Sequence, residues 1–128
     1  MAQRYVLDAS ALLCLLNEED GAERVEASLD GSVISAVNYS EVVAKIVERG
    51  GTRELAVAML DPLHMQIIDF DQSQAMRAGE FRQVTRKAGL SFGDRACLAL
   101  AAARNMPALT TDRAWAALEL DLQIELLR

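Results

Sequence analysis

Histidine is almost absent from the sequence, and this scarcity excludes several kinds of catalytic site. The only histidine, His64, lies in the turn-like segment DPLHMQ, where we expect a structural role. A single histidine disfavours a zinc site, a nuclease that uses histidine as its acid or base, and a Ser-His-Asp hydrolase. A glycine-rich phosphate loop is also missing, which argues against a nucleotide-binding enzyme of the Walker type.

Cysteine, proline and long apolar runs are scarce as well. Cys14 and Cys97 lie in apolar helix-like runs, so we expect buried free thiols of a cytosolic protein rather than a disulfide or a metal pair. Two prolines and an apolar fraction of 52% are typical of one globular domain over residues 1–128. The longest apolar runs, SALLCLL and ACLALAAA, are too short to span a bilayer, and no secretion signal is recognisable. The sequence therefore predicts a cytoplasmic protein without a membrane anchor.

Positive charge is scarce in the whole chain but concentrated in one segment. The net charge is −6, which argues against a general nucleic-acid binder. Residues 77–113 nevertheless hold seven basic and three acidic residues, a net charge of +4, whereas the remainder carries −10. Two interpretations stay open, namely ordinary solvated helix faces or a basic surface that binds an anionic substrate. The candidate substrate-binding residues are Arg82, Arg86, Lys87, Arg95 and Arg113.

Strand-like and helix-like segments alternate along the chain. Short apolar segments predict five strands, in RYVLD, SVISAV, MQIIDF, ALTT and QIELL. The segments between them predict helices, among them one capped by Ser10, one over residues 71–88, one from Asp94 to about Asn105 and a short one at RAWAAL. This alternation predicts a three-layer α/β/α fold, in which helices cover both faces of a mostly parallel sheet of about five strands.

Four carboxylates stand at junctions between the predicted elements. Asp8 and Asp112 follow strands, Glu41 lies in the first turn of a helix, and Asp94 opens another helix. Each has a local structural explanation, because Asp8 suits a turn, Asp112 suits a helix cap, and NYSE and SFGD have the spacing of capping boxes. The carboxyl ends of parallel strands meet at one edge of a sheet, however. We therefore expect the four carboxylates to lie close together.

A cluster of four carboxylates has a physical need for a cation. Like charges repel one another and cost stability unless they are neutralised. Carboxylate oxygens suit hard divalent cations, here Mg²⁺ or Mn²⁺. A cation in such a cluster is suited to phosphodiester hydrolysis, because it lowers the pKa of a bound water and neutralises charge on the reacting phosphate. The neighbouring arginines would then hold the substrate backbone.

Four segments of the chain resemble, in order and spacing, the four motifs of PIN-domain ribonucleases, and most closely the VapC-type toxins of bacterial toxin–antitoxin pairs. The segments read YVLDASALLCLL, ISAVNYSEVVAKI, LSFGDRACLALAAA and ALTTDRAW, and the resemblance extends over essentially the whole chain. The resemblance implies a catalytic, metal-binding site made of Asp8, Glu41, Asp94 and Asp112, with Asp8 and Asp94 as the principal metal ligands. It also implies supporting residues beside these acids, which are Ser10, Asn38, Ser91 and Thr110.

The same resemblance implies a fold and a set of partners. The family fold is a parallel sheet of about five strands between helices, in agreement with the alternation of predicted elements. The family further implies an endoribonuclease with an RNA substrate, a cognate antitoxin protein that inhibits it, and a homodimer. No spacing in the sequence shows these three partners, so they rest on the resemblance alone.

Three alternatives come from other classes of protein. A phosphoacceptor receiver domain has similar length and alternation, and IIDFD could supply the acceptor. That class needs a pair of acids after the first strand and a lysine after the last, and the chain has neither. A haloacid-dehalogenase-like phosphatase would need a second aspartate two residues after the first, which DAS lacks. The third alternative is a catalytically inactive binding module of the PIN fold, although all four acids are present.

Overall fold

The computed structural model describes residues 3–128, which form five short strands, six α-helices and two 3-10 helices. The strands are Val6–Leu7 (β1), Val33–Ser35 (β2), Gln66–Ile68 (β3), Ala108–Thr110 (β4) and Ile124–Leu126 (β5). The α-helices are Ala9–Leu16 (α1), Ala22–Ser28 (α2), Ala36–Glu48 (α3), Arg53–Leu60 (α4), Gln72–Thr85 (α5) and Phe92–Arg104 (α6). The 3-10 helices are Asp61–Leu63 and Arg113–Ala117. None of these helices is both long and apolar enough to cross a membrane.

The five strands form one parallel sheet in the order β3-β2-β1-β4-β5. Val6 of the central strand lies opposite Val33 on one side and Ala108 on the other. The predicted α/β/α fold with a parallel sheet of five strands is thereby confirmed. Receiver domains have the order 2-1-3-4-5, so this topology excludes that alternative.

The sheet separates two apolar cores. Successive strand residues point to opposite faces, and even strands of two or three residues therefore contribute to both cores. The core shared with α1, α2, α3 and α4 contains the strand residues Leu7, Ile34 and Leu109. The core shared with α6 and the 3-10 helix at Trp115 contains Val6, Val33 and Ala108. All six strand side chains are buried, which fixes the register of the central strands.

The strand order places a crevice beside β1 and β4. The chain moves outward from β1 through β2 to β3 and then returns to the other side of β1 as β4. Connections that leave neighbouring strands in opposite directions open a crevice beyond their carboxyl ends, where α/β proteins bind ligands. Asp8 follows β1 directly, and Asp112 lies two residues beyond the end of β4. The topology thus aims both acids at the same edge of the sheet.

Helix boundaries differ from the sequence prediction. The N-cap of α1 is Asp8, whose carboxylate accepts a hydrogen bond from the Ala11 N–H, and the predicted cap Ser10 is wrong. Both residue types cap well, but Asp8 still has the extended backbone of β1, whereas Ser10 is already inside the helix. The helix α6 begins two residues earlier than predicted because Ser91 is its N-cap and Asp94 occupies its third position. The helix α5 ends at residue 85 rather than 88.

The helices α3 and α4 leave apolar side chains in solvent. Helical spacing places Val42, Val43, Ile46 and Val47 on one face of α3, and Val42 and Ile46 are buried. Val47 is 51% exposed, however, and Leu55 of α4 is 47% exposed. The core of this small domain therefore does not cover all of the apolar surface of its early helices.

Candidate active site

Asp8 is a buried carboxylate held by three hydrogen bonds. It is 3% exposed at the carboxyl end of β1. Its Oδ1 accepts from Ser10 Oγ at 2.7 Å and from the Ala11 N–H at 2.8 Å, and its Oδ2 accepts from Thr110 Oγ1 at 2.6 Å. Because both oxygens are held, the carboxylate has one fixed orientation, which suits a metal ligand or a reacting group.

The two hydroxyl groups that donate to Asp8 also link the end of β1 to the end of β4. Ser10 Oγ accepts a hydrogen bond from the Thr111 N–H at 3.0 Å, and Thr110 Oγ1 accepts one from the Asp112 N–H at 3.0 Å. The predicted supporting residues Ser10 and Thr110 therefore contact the first acid and the backbone of the segment that carries the last. Because they link the two strand ends, Ser10 and Thr110 have a structural role. Any activity at Asp8 would depend on the same hydrogen bonds.

Asp94 is fixed by a reciprocal capping box. Its Oδ2 accepts from the Ser91 N–H at 2.9 Å, while its own N–H donates to Ser91 Oγ at 3.2 Å. The capping role that the sequence predicted for Asp94 is thus confirmed. One carboxylate oxygen remains outside the capping box, and Asp94 is only partly buried. Capping and a role in a cation site are therefore compatible.

Glu41 packs against the first turn of α6, although it belongs to α3. Asn38, which is 1% exposed, donates from Nδ2 both to Glu41 Oε1 at 2.8 Å and to the Gly93 carbonyl at 2.9 Å. The NYSE segment is not a capping box, because the N-cap of α3 is Ser35. A methyl group on Gly93 would lie 2.4 Å from either carboxylate oxygen of Glu41. Glycine at this position is therefore what lets Glu41 lie beside the start of α6.

Asp112 is exposed and caps the segment that follows β4. It is the N-cap of the second 3-10 helix, and its Oδ1 accepts from the Ala114 N–H at 2.9 Å. This confirms the capping role that the sequence allowed. Its backbone N–H is bound to Thr110, so the same hydroxyl holds Asp112 and Asp8.

The carboxylates influence one another electrostatically. Burial raises the pKa of Asp8 from its ordinary 3.8 to about 6, against the opposing hydrogen bonds of Thr110 and Ser10, and the charge of Asp94 adds to the rise. Burial also raises the pKa of Asp94, and the charge of Asp112 adds to it. Burial raises the pKa of the Cys97 thiol well above its usual value, with further contributions from Asp8, Asp94 and Glu41. Asp8 and Asp94 are therefore close enough to repel each other, as are Asp94 and Asp112.

The acids are better suited to a cation that keeps several water ligands than to one bound by protein atoms alone. Within residues 3–128, no three Asp, Glu, His or Cys side chains are close enough to enclose an ion by themselves. The side-chain atoms of Asp8 and Asp94 that can bind an ion are oxygens. Mg²⁺ typically keeps several of its waters and takes only one or two carboxylates. Asn38 Oδ1 is buried without a hydrogen-bond partner among residues 3–128. The charge and the oxygen donors of the acids fit a hard divalent cation.

The acid-site electrostatics predict how stability depends on pH when no divalent cation is present. Folded Asp8 has a pKa of about 6 and unfolded Asp8 about 3.8, so the folded protein binds this proton more tightly. Its contribution to the free energy of unfolding is therefore greatest below about pH 4 and falls by roughly 3 kcal/mol as pH rises to about 6. Urea unfolding in chelator should show this fall in the wild type and a smaller one in Asp8→Asn. An Asp121→Asn control, at an exposed carboxylate, should follow the wild type, and identical curves for all three proteins would contradict the assignment.

The predicted substrate-binding residues fall into two groups. Arg82, Arg86 and Lys87 are exposed at the carboxyl end of α5 and form no ion pair with any of the residues 3–128. Arg95 donates from Nη1 to the Ala78 carbonyl at 3.0 Å and thereby ties α6 to α5. Arg113 donates from Nε to the Arg128 carbonyl at 3.2 Å. Only the first group is free of contacts that give it a structural role.

Sequence reasoning missed two residues at the site. Gly93 was not assigned a role, although glycine inside a helix costs stability and its presence signals a close contact. Phe92 was also not assigned one, and it is half exposed in the groove that Glu41 lines. The glycine signal was readable in SFGD, whereas the exposure of Phe92 depends on how the neighbouring elements pack around the start of α6.

Comparison with known proteins gives concordant matches. The family model described as PIN domain matches residues 5–119. The chain is 33% identical to ribonuclease VapC30 of Mycobacterium tuberculosis and to VapC ribonuclease Mb0640 of Mycobacterium bovis, over 81% of this chain and 86% of each relative. Among solved structures, VapBC2 from Rickettsia felis bound to a promoter DNA fragment matches with a TM-score of 0.75 and 20% identity, over 96% of this chain and 98% of the other. VapBC-5 from M. tuberculosis matches with a TM-score of 0.66 and 23% identity, over 98% of both chains.

Proposed function

The chain belongs to the PIN-domain family, and from this premise we propose that it is a divalent-cation-dependent endoribonuclease that acts as the toxin of a toxin–antitoxin pair. The observation that carries the proposal is a set of hydrogen bonds that link the candidate acids: Thr110 joins Asp8 to Asp112, and Asn38 joins Glu41 to the turn of α6 that carries Asp94. The charge of Asp94 disfavours ionised Asp8, and the charge of Asp112 disfavours ionised Asp94, a repulsion that a cation would relieve. The curated relatives at 33% identity are named as ribonucleases, which supports RNA as the substrate. We further propose a single cytoplasmic domain and Mg²⁺ or Mn²⁺ as the ion.

The residues of the proposed site have two roles: some bind the ion, and others position the residues that bind it. Asp8 and Asp94 are proposed as the principal ligands, because both are positioned by hydrogen bonds and both have raised pKa values. When bound, the ion supplies the Lewis acidity that phosphodiester hydrolysis needs. Glu41 and Asp112 are exposed, so they can meet the ion's waters and the incoming substrate. Asn38, Ser10, Ser91 and Thr110 keep the four acids in place.

The exposed basic residues of α5 are proposed to bind the phosphate backbone of the RNA. Replacing Arg82, Arg86 and Lys87 with alanine should weaken RNA binding. The slope of log affinity against log salt concentration should become less steep by about two, since fewer counterions are released from a single strand. Fluorescence anisotropy at several salt concentrations measures this slope. The matched control removes equal charge from the region of α3 and α4, at Lys45, Arg49 and Arg53. An unchanged slope in the α5 variant, or an equal change in the control, would place the RNA elsewhere.

The antitoxin is proposed to bind the apolar surface of the early helices. A groove of about 210 Å³ between α1, α3 and α4 is lined by apolar side chains, among them Leu13, Leu16, Leu55 and Met59. Exposed apolar surface of this kind suits an amphipathic helix from a partner. Several solved structures with a similar fold are named as toxin–antitoxin complexes or systems, which supports such a partner. A homodimer remains part of the proposal and rests on the family.

Growth arrest in a bacterial host tests the proposed toxin role. Expression of the wild type should stop growth, and expression of Asp8→Asn at the same level should not, because the substitution removes a principal metal ligand. Co-expression of a cognate antitoxin should restore growth. Arrest that is equally severe with Asp8→Asn would mean that toxicity does not come from the acidic site.

A further inference from the structure

An exposed aromatic ring lies at the edge of the acidic site. Phe92 is the first residue of α6, two positions before Asp94, and it is 50% exposed. The other two phenylalanines of the chain, Phe70 and Phe81, are partly buried. Burying an aromatic ring stabilises a fold, so the exposure of this ring beside the candidate acids points to a use of the ring in binding.

Neighbouring side chains hold the ring in place. Phe70, which follows β3, meets Phe92 edge to face, with ring centroids 5.5 Å apart and an angle of 85° between the planes. The guanidinium of Arg95 lies 5.9 Å from the centroid of the Phe92 ring. Arg95 is itself anchored to the Ala78 carbonyl. A ring fixed in this way loses little conformational entropy when a ligand stacks on it.

The space beside the ring has the chemistry of a nucleobase site. Phe92 lines an open groove of about 580 Å³ whose lining is mostly apolar. The lining residues are Ala36, Val37, Ser40, Glu41, Ser91, Phe92 and Gly93. The carboxylate of Glu41 repels a phosphate, whereas a neutral base can place its flat apolar face on the ring and its amino or imino donors toward serine and carboxylate oxygens.

We propose that Phe92 and this groove bind one nucleobase of single-stranded RNA next to the phosphodiester that is cleaved, an inference that rests on the proposed ribonuclease function. The physical reason is local electrostatics, because the carboxylates of the site repel the phosphates that must approach them. Stacking on an aromatic ring supplies affinity that does not depend on charge. It also aligns the strand, since a base held beside Glu41 brings its neighbouring phosphate toward Asp8 and Asp94.

The test compares two substitutions of Phe92. Phe92→Leu keeps an apolar side chain but removes the stacking face, and Phe92→Tyr keeps the face. Binding is measured by anisotropy with a labelled single-stranded RNA of about twelve nucleotides, and by quenching of 2-aminopurine placed in that RNA. We expect Phe92→Leu to weaken binding about tenfold and to lose most of the quenching, whereas Phe92→Tyr stays within about twofold of the wild type. Cleavage of the same RNA should show the loss in KM rather than in kcat.

Two controls distinguish base stacking from a general surface effect and from a change in oligomeric state. Met76→Ala removes a side chain of α5 that is 65% exposed, and it should leave RNA binding unchanged. Sedimentation of each variant at the assay concentration reports the oligomeric state. Loss of binding together with dissociation of a dimer would overturn the proposal and place Phe92 between two copies of the chain. If the wild type is active and Phe92→Leu has the same KM and the same quenching, the proposal about Phe92 is overturned and the proposed function stands. A wild type that neither binds nor cleaves RNA would overturn the proposed function itself.

Discussion

Replacing Asp94 with asparagine should lower RNA cleavage by on the order of a hundredfold or more, while the metal-free protein keeps or gains stability. Loss of groups that only support a metal ligand already costs about 10- to 100-fold, and Asp94 is proposed as a ligand itself. The stability result follows because burial and the charge of Asp112 raise the pKa of Asp94, so its ionised form is unfavourable in the fold. Asparagine keeps an oxygen that can accept from the Ser91 N–H.

Thermal melts with and without Mg²⁺ accompany the cleavage assay. The wild type should gain melting temperature on addition of Mg²⁺, because a ligand that binds only the folded state stabilises it. Asp94→Asn should gain less. A residue that acted only as a helix cap would give the opposite pattern on replacement with alanine, namely a loss of about 1 kcal/mol with activity largely kept. An asparagine variant that cleaves RNA and responds to Mg²⁺ like the wild type would remove Asp94 from the site.

Gly93→Ala should abolish most activity without destabilising the fold. An added methyl group would lie 2.4 Å from both carboxylate oxygens of Glu41, so the side chain has to move. Glu41 is exposed and flexible, and its displacement therefore costs the fold little, whereas the hydrogen bond from Asn38 to Glu41 is lost. Alanine in place of glycine within a helix is worth roughly 0.5–1 kcal/mol of stability, which offsets that loss. We expect cleavage to fall at least about tenfold, as for other groups that orient a metal site.

Gly79→Ala is the matched control for this prediction. Gly79 lies within α5, where a methyl group would meet no described atom within 4 Å apart from its chain neighbours and the adjacent backbone of its own helix. The substitution should raise the free energy of unfolding by roughly 0.5–1 kcal/mol and leave cleavage unchanged. If Gly93→Ala also kept full activity, the position of Glu41 beside α6 would be irrelevant to the reaction. Loss of activity in both variants would instead indicate a general effect of helix rigidity.

The sequence predicted the sheet because its strands depend on local pattern, and the same pattern shows that the candidate acids lie at junctions between elements. Each strand is a short apolar segment between helix-like segments, and the alternation of strands with helices requires parallel pairing. Asp8 and Asp112 stand at the ends of strands that neighbour each other, so topology alone brings them to one edge. Asp94 was recognised as a capping residue because its partner Ser91 is only three positions away.

The parts of the site that the sequence did not reveal depend on contacts between distant segments. Asn38 bonds the carbonyl of Gly93 across 55 positions of the chain, and no local spacing encodes that bond. The cap of α1 was misassigned because Asp8 and Ser10 both suit the role, and only the end of β1 decides between them. The exposure of Val47 and Leu55 was unreadable because helix periodicity identifies an apolar face without showing whether the core covers it.

The most direct test of the proposed function is cleavage of single-stranded RNA by the purified protein, first in chelator and then after Mg²⁺ is restored. A site in which Asp8 and Asp94 repel each other, as do Asp94 and Asp112, should be inactive without a cation and active with one. The proposed function therefore predicts no cleavage in chelator and full recovery when Mg²⁺ or Mn²⁺ is added in excess. Cleavage that continues undiminished in chelator, or no cleavage of any RNA with either ion, would contradict it.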